Sequence, residues 1–195
     1  MNTGRRVIKN TVILSSGQVL AKIINIVLLL ILTRMLGKSG FGLYSFAFAF
    51  GSMFMLFTHF GINTLLIREV ARDKSRAPEF ISHSLAGVLI FSVLTLILIN
   101  CVAYFSDLTV EEFRVIFIFS IYIIFDGMSR YFISIFRAFE RMEYEVVVSV
   151  TDRIGLLIWA SVIWLIEPNL IILLIGFSAV GLLKLITAYL LVRYK

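Results

Sequence analysis

The stretch that decides the fold is TVILSSGQVLAKIINIVLLLILTRML, residues 11–36, which is long and apolar but carries a lysine near its centre. About 20 mostly apolar residues suffice for a helix to cross a bilayer, so this stretch predicts a transmembrane helix. A lysine at bilayer depth costs about 3 kcal/mol on insertion scales, so Lys22 is expected to face a wet cavity or a protein interior. At about 100° per residue, the polar residues share one narrow arc, here named the polar stripe: Thr11, Ser15, Gln18, Lys22, Asn25 and Thr33. The polar stripe predicts one wall of a hydrophilic pathway through a helical bundle.

The composition of the whole chain is that of an integral membrane protein. Of its 195 residues, 60% are hydrophobic and 15% are charged, whereas soluble domains are about half apolar and a quarter charged. The formal net charge of +6 would favour nucleic acid as the partner of a soluble protein. Here the basic residues lie beside apolar stretches, where the positive-inside rule explains them better. The sequence therefore predicts one transmembrane domain over residues 1–195, embedded in the lipid bilayer, with no soluble domain and no nucleic-acid partner.

Five further apolar stretches follow the first one and are separated by short polar connections. The predicted spans are residues 11–36, 43–67, 83–105, 113–136, 146–166 and 170–192. The glycine-rich residues 37–42 predict a tight turn between the first two spans. Lysine and arginine concentrate in alternate connections and at both termini, while the opposite connections are acidic, which predicts cytoplasmic termini. The predicted fold class is all-α, a polytopic bundle of six transmembrane helices.

The last three spans carry ionisable residues, and those of the fifth are Asp152 and Arg153. Asp126 and Arg130 lie one helical turn apart in the fourth span. Such an i,i+4 pair can neutralise itself and so make insertion tolerable, but an ionisable residue at this depth also commonly lines a transport or proton pathway. Both interpretations stay open from the sequence. In the sixth span, Lys184 lies near enough to the end to extend its ammonium group towards the lipid headgroups.

No motif for catalysis or nucleotide binding is present in the sequence. It contains no HExxH, no GxSxG and no GxxxxGK followed by serine or threonine, and its single cysteine cannot form a metal cluster. The chain is therefore predicted not to be an enzyme and to have no catalytic residue, cofactor or metal. Any movement of a substrate would draw on an ion gradient, a membrane potential or downhill flux.

Three stretches, in this order, resemble the N-terminal half of polysaccharide-biosynthesis flippases: LTRMLGKSGFGLYSFAFAF, FGINTLLIREVAR and FRAFERMEYEVVVSVTDRIG. These flippases belong to the multidrug/oligosaccharidyl-lipid/polysaccharide exporter superfamily. The resemblance implies one six-helix lobe of a two-lobed transporter in the cytoplasmic (inner) membrane. That transporter would carry polyprenyl-diphosphate-linked oligosaccharides, such as lipopolysaccharide units, to the outer leaflet by alternating access. The chain is accordingly expected to be a fragment, a single lobe or half of a pair, with a second six-helix lobe or a second copy as its partner.

The resemblance also implies roles for individual residues. Lys22 would attract the diphosphate and acidic sugars of the substrate, and a low local dielectric would strengthen that attraction. Asp126 would pair with an arginine or take up a proton as the lobes move. Asn63 and Arg68, in the stretch FGINTLLIRE, would act in a gate or in packing. The substrate-pathway candidates are Gln18, Lys22, Asn25, Asp126, Arg130 and Arg153.

Three alternative functions stay open. A small-molecule or multidrug exporter of the same superfamily would favour acidic cavity residues and aromatic walls, and the excess of basic groups at membrane depth argues against it. A membrane enzyme acting on prenyl-linked sugars would need catalytic residues in no recognisable motif. A non-catalytic membrane component of a glycan-assembly complex would need neither a pathway nor a catalytic site.

Overall fold

A computed structural model describes residues 3–194 of the chain, with side chains described for residues 8–194. Over that range the chain is helical and contains no β-strand, which confirms the all-α prediction. The helices are α1 (Thr3–Phe54), α2 (Ile62–Arg72), α3 (Ala77–Phe105), α4 (Val110–Ala138), α5 (Met142–Ile166) and α6 (Leu170–Arg193). Short 3₁₀ turns occupy Met55–Thr58 and Lys74–Arg76.

Five described segments are long and apolar enough to cross a membrane, as expected of a multi-pass membrane protein. They are Ile8–Arg72, Lys74–Phe105, Val110–Ala138, Met142–Ile166 and Leu170–Arg193. The sequence predicts six spans, and the first two of them, residues 11–36 and 43–67, both fall within the segment Ile8–Arg72. The difference in number therefore lies entirely in the first 72 residues.

Gly37 interrupts α1. Its φ of 63° and ψ of −170° lie outside the helical region, and glycine adopts such a positive φ without the penalty that a Cβ would impose. The turn predicted over residues 37–42 is thus confined to one residue, and the helix resumes directly after it. The helix can resume because no proline follows Gly37 in this stretch. Its first residues, among them Phe41 and Leu43, pack against the apolar core of the bundle. The two parts of α1 are here named the first arm, before Gly37, and the second arm, after it.

A second interruption follows the second arm of α1. Between Phe54 and Ile62 the chain forms a 3₁₀ turn, and Phe60 and Gly61 have positive φ angles of 35° and 82°. Thr58 is fully buried there against Gly127 of α4, where a Cβ would lie 2.5 Å from the Thr58 hydroxyl oxygen. Non-helical backbone is tolerated at membrane depth where protein or a water-filled cavity covers it. The close approach of Thr58 to α4 provides such cover.

The buried core divides into two apolar clusters at different heights along the helices. On α4 the first cluster includes Ile116 and Phe119, and the second includes Tyr131 and Phe136. The helices α5 and α6 likewise contribute to both clusters. Leu156 and Phe177 belong to the first; Val148 and Ala188 belong to the second. The residues between the two clusters form a separate layer across α4, α5 and α6.

The segments rich in lysine and arginine gather at the end of the bundle that holds the second cluster. Asn10 Nδ2, near the start of α1, donates to the backbone oxygen of Glu140 between α4 and α5, at 3.0 Å. The Tyr131 hydroxyl of α4 donates to the backbone oxygen of Ile81, close to the start of α3, at 2.6 Å. The start of α1, the α2–α3 connection and the α4–α5 connection therefore lie at the same end.

Side-chain caps fix the starts of α4 and α6, the helices whose central residues meet between the clusters. Thr109 and Glu112 form a capping box at α4, in which the carboxylate of Glu112 accepts from the Thr109 backbone nitrogen at 2.8 Å. At α6, Asn169 Oδ1 accepts from the backbone nitrogens of Ile171 and Ile172, at 2.9 and 3.2 Å. Each cap supplies partners for N–H groups that the first turn of a helix leaves free.

Candidate functional site

Between the two apolar clusters lies a network of five charged side chains from α4, α5 and α6, here named the charge layer. Its members are Arg130, Asp126, Lys184, Asp152 and Arg153. Asp126, Asp152 and Lys184 are buried. Three cations face two carboxylates, so the layer carries one excess positive charge. Buried charges are tolerated when they are paired and hydrogen-bonded.

The carboxylate of Asp126 has a different partner on each oxygen. Oδ2 accepts from Arg130 Nε at 2.9 Å, and Oδ1 accepts from Lys184 Nζ. Lys184 Nζ also lies 3.4 Å from Asp152 Oδ2, and Arg153 Nε lies 3.9 Å from that same oxygen. Lys184 therefore connects the two carboxylates, and each carboxylate is also paired with one arginine. The i,i+4 ion pair of Asp126 and Arg130, one of the two interpretations that the sequence leaves open, does form.

Next to the charge layer is a cavity of about 460 Å³, here named the first cavity. Both arms of α1 line it, together with α4, α5 and α6. All six substrate-pathway candidates border this cavity: Gln18, Lys22, Asn25, Asp126, Arg130 and Arg153. Aromatic side chains form much of the remaining wall: Tyr44, Phe48, Phe119, Tyr122 and Phe177. The volume is within the range of about 300–1,000 Å³ that is usual for small-molecule sites.

Lys22 is exposed at the first cavity, and among residues 8–194 it forms no ion pair. The rest of the polar stripe is arranged differently from the single wall that the sequence predicts. Thr11 and Ser15 border a separate, open groove with apolar neighbours, and the Thr33 hydroxyl donates to the backbone oxygen of Leu29 at 2.7 Å. Only the central part of the stripe therefore borders the first cavity.

A second cavity, of about 320 Å³, extends from the charge layer towards the basic end of the bundle. It shares four bordering residues with the first cavity: Arg130, Glu145, Ser149 and Arg153. Three residues of its wall have a buried polar atom without a hydrogen-bond partner in the described structure, namely His59 Nδ1, Asn63 Oδ1 and Asp152 Oδ1. Buried polar atoms are normally satisfied by protein or ordered water, and this cavity is large enough for several water molecules.

Arg137 and Glu145 form a second kind of ion pair at the wall of the second cavity. Arg137 Nε donates to Glu145 Oε2 at 2.7 Å, and Arg137 Nη2 donates to Oε1 at 2.5 Å. Both oxygens of the carboxylate are therefore held by one guanidinium group in the bidentate geometry that favours strong pairing. The sequence predicts both residues only as part of a short polar connection between two spans.

The family of polysaccharide biosynthesis proteins matches residues 7–195, which is nearly the whole chain. The chain belongs to that family. The match confirms the resemblance that the three sequence stretches indicate. No significant match occurs among curated proteins or among solved structures.

The two gate or packing candidates of this polysaccharide biosynthesis protein lie in different surroundings. Asn63 borders the second cavity, close to the interruption between α1 and α2. Arg68 lies on the outside of α2, with its side chain 73% exposed, and pairs with the adjacent Glu69 at 2.9 Å. The structure thus brings Asn63 towards the charged residues and leaves Arg68 at the surface. A gate or packing role stays a prediction for both.

Lys184 and Asp152 are members of the charge layer of this family member, but the sequence does not single them out as pathway candidates. The position of Lys184 near the end of its span suggests contact with headgroups, but its ammonium group lies between two buried aspartates instead. One signal was present in the sequence. Each of the last three spans contributes a charged residue, and the acidic ones on α4 and α5 require cationic partners at similar depth.

Proposed function

We propose that this chain forms one lobe of a transporter that carries polyprenyl-diphosphate-linked oligosaccharides across the cytoplasmic membrane by alternating access. The observation that carries the proposal is the gathering of all six pathway candidates around the first cavity. Among the charged residues at that cavity, Lys22, Arg130 and Arg153 outnumber Asp126 and Glu145. An excess of cations in a low-dielectric site favours an anionic group such as a diphosphate.

The proposal includes six membrane crossings. The segment Ile8–Arg72 has 65 residues and would be about 98 Å long as one straight helix, far longer than the hydrocarbon core of about 30 Å. Gly37 departs from helical geometry inside this segment. Both arms of α1 border the first cavity, as Lys22 of the first arm and Tyr44 of the second arm illustrate. These observations support two crossings, residues 11–36 and 43–67, in place of one.

We propose that the chain lies in the inner membrane of the cell and that both of its termini are in the cytoplasm. The basic segments at the start of α1, after α2 and between α4 and α5 lie at one end of the bundle, and the positive-inside rule assigns that end to the cytoplasm. The second cavity would then extend the first cavity towards the cytoplasmic leaflet. A lipid-linked sugar made on that leaflet would reach the first cavity through this polar region, with a second lobe or a second copy enclosing the opposite side.

Transport of this kind needs no covalent step, so we propose that the chain is not an enzyme. Lys22 would hold the diphosphate, because its ammonium group has no carboxylate partner in the described part of the chain. The aromatic wall provides apolar surfaces for the faces of sugar rings. Release on the other side would follow when movement of the lobes exposes the cavity to water, which weakens the attraction between opposite charges.

The experiment that tests this function replaces Lys22 by alanine and by arginine and follows the lipid-linked glycan in each leaflet. Cells that lack the gene are expected to accumulate the glycan on the cytoplasmic face. Lys22→Ala should lower the translocation rate by about tenfold or more, while Lys22→Arg keeps the charge and most of the rate. Lys38→Ala, an exposed lysine of the second arm, is the matched control and should behave as wild type. Normal translocation by a correctly inserted Lys22→Ala protein would refute the role of Lys22.

The aromatic wall of the first cavity also favours a second candidate, an exporter of small apolar molecules. This candidate predicts altered drug sensitivity after loss of the gene, with glycan export unchanged. A structural component of a glycan-assembly complex predicts a third result. Glycan export would then fail when the gene is lost but would tolerate both substitutions of Lys22.

A further inference from the structure

Two arginine–carboxylate pairs near the second cavity differ in the number of nitrogens that hold the carboxylate, and the difference draws attention to Lys184. Arg137 holds both oxygens of Glu145 through two nitrogens. Arg130 holds Asp126 through Nε alone, at 2.9 Å, although this pair too consists of an arginine and a carboxylate. The other oxygen of Asp126 accepts from Lys184. Lys184 is thus the partner of the oxygen that a second nitrogen of Arg130 would otherwise approach.

The same lysine acts on the second carboxylate of the charge layer. Lys184 Nζ lies 3.4 Å from Asp152 Oδ2, whereas Arg153 Nε lies 3.9 Å from that oxygen, beyond the range of a good hydrogen bond. Neither Arg130 nor Arg153 is thus fully engaged by its carboxylate. A guanidinium group has five N–H donors, and both arginines border both cavities.

We propose that Lys184 is a positioning residue that keeps the guanidinium groups of Arg130 and Arg153 available to an anionic group in the cavities. The anionic ligand rests on the proposed function, whereas the arrangement of charges is independent of it. Lys184 acts through the two aspartates, because its own side chain is only 6% exposed. Although Lys184 borders the second cavity, its ammonium group is directed to the two aspartates and leaves each arginine with unused donors.

Removal of this ammonium group should change how both arginines pair. Asp126 Oδ1 would lose its partner, and Arg130 would then hold both oxygens as Arg137 holds those of Glu145. Asp152 would likewise attract Arg153, since no other cation of the layer would remain beside it. Both guanidinium groups would then use further donors on their aspartates and have fewer left for a ligand, because an unpaired buried carboxylate is costly.

The test measures the reaction of individual arginines with phenylglyoxal, a reagent for accessible guanidinium groups, in the purified full chain. Peptide mass spectrometry reports the rate at each site. In Lys184→Met, a substitution that keeps the volume and removes the charge, the rates at Arg130 and Arg153 should fall by about tenfold. Arg137 is the internal control and should react at the wild-type rate, since Lys184 does not contact Glu145. A merely structural role for Lys184 would either leave all three rates unchanged or raise them together, and each of these results would overturn the proposal.

Two double variants give a crossed pattern that does not depend on the folding of the single variant. Lys184→Met with Asp152→Asn removes one charge of each sign and should restore the rate at Arg153 while Arg130 stays slow. Lys184→Met with Asp126→Asn should restore Arg130 while Arg153 stays slow. Equal recovery of both arginines in both double variants would indicate a general effect of net charge and would overturn the positioning role.

Binding of farnesyl diphosphate, with farnesol as the uncharged control, separates this inference from the proposed function. Wild type should bind the diphosphate, and Lys184→Met should bind it about tenfold more weakly. The crossed pattern together with no binding would overturn the diphosphate substrate and support the positioning role. Equal diphosphate binding by wild type and Lys184→Met, without the crossed pattern, would overturn the positioning role and leave the substrate class intact.

Discussion

The central part of the polar stripe and the charge layer each hold one lysine within an apolar segment, and they accommodate it in opposite ways. Lys22 is exposed at the first cavity and has no carboxylate partner within the described residues. Lys184 is buried and lies between Asp126 and Asp152. A helical bundle can thus accommodate an ammonium group either at a cavity or between carboxylates. The first solution leaves the charge free to attract a ligand, and the second uses it to hold three helices together.

The two solutions predict different consequences of substitution. Breaking a buried ion pair leaves an uncompensated charge and is strongly destabilising, whereas removing an exposed charge has little effect on stability. Variants in the charge layer should therefore reduce the stability of the fold. Variants at Lys22 should leave the fold intact and affect only the movement of substrate.

The largest effect is expected for Asp126→Ala. This change leaves Arg130, Lys184 and Arg153 around the single carboxylate of Asp152, and it should lower the free energy of unfolding by about 3–5 kcal/mol. Thermal or denaturant unfolding of the purified protein in a mild detergent measures the loss. Glu111→Ala, at an exposed position of the same helix, is the control and should stay within about 0.5 kcal/mol of wild type. Similar losses for both variants would show that the charge layer contributes no more to stability than the surface does.

A smaller loss is expected where the interruption after α1 packs against α4, one residue from Asp126. A Cβ at position 127 would lie 2.5 Å from the hydroxyl oxygen of the buried Thr58, so Gly127→Ala should cost about 1–3 kcal/mol. The same substitution at Gly42 meets no atom within 4 Å and should be neutral or stabilise the helix by up to about 1 kcal/mol. Unfolding curves of the two variants test this difference directly. An equally mild effect at both positions would mean that α4 can move away from the interruption.

The sequence was sufficient to predict the helical class and to single out six polar or charged residues that border the first cavity. Lys22, Asp126 and Arg130 are recognisable because a charged residue within an apolar span is costly and demands polar surroundings. The pairing of Lys184 with Asp126 was not predictable, since 58 residues separate them and no local periodicity records such a contact. The interruption between Phe54 and Ile62 was also missed, because an unbroken apolar run predicts a continuous helix and gives no sign of the close packing of Thr58 on Gly127.

A loss of about 1 kcal/mol is expected for Asn169→Ala, the residue that caps α6. Its side-chain oxygen accepts from the backbone nitrogens of Ile171 and Ile172, and these would lose their partner. The same unfolding measurement applies, with Thr187→Ala, a partly exposed position of α6, as a control expected within about 0.5 kcal/mol of wild type. The helix α6 also carries Lys184, so the variant can be checked for an effect on the charge layer. If the cap acts only on the start of the helix, the rate at which phenylglyoxal modifies Arg130 should equal that of wild type. A changed rate would show that the charge layer depends on how α6 begins.

The smallest effect on stability is expected for Lys22→Ala, which should lie within about 0.5 kcal/mol of wild type. Its water accessibility can be tested separately with Lys22→Cys in a Cys101→Ser background, because Cys101 is exposed and would itself react. A charged thiol reagent should modify Lys22→Cys at least about tenfold faster than Lys184→Cys, since the reagent must remain hydrated to reach its target. Equal and slow modification would place Lys22 in contact with hydrocarbon or in a dry protein interface. Fast modification together with normal stability and impaired translocation would separate the binding role of Lys22 from the structural role of the buried ion pairs, because the fold itself does not need the cation at position 22.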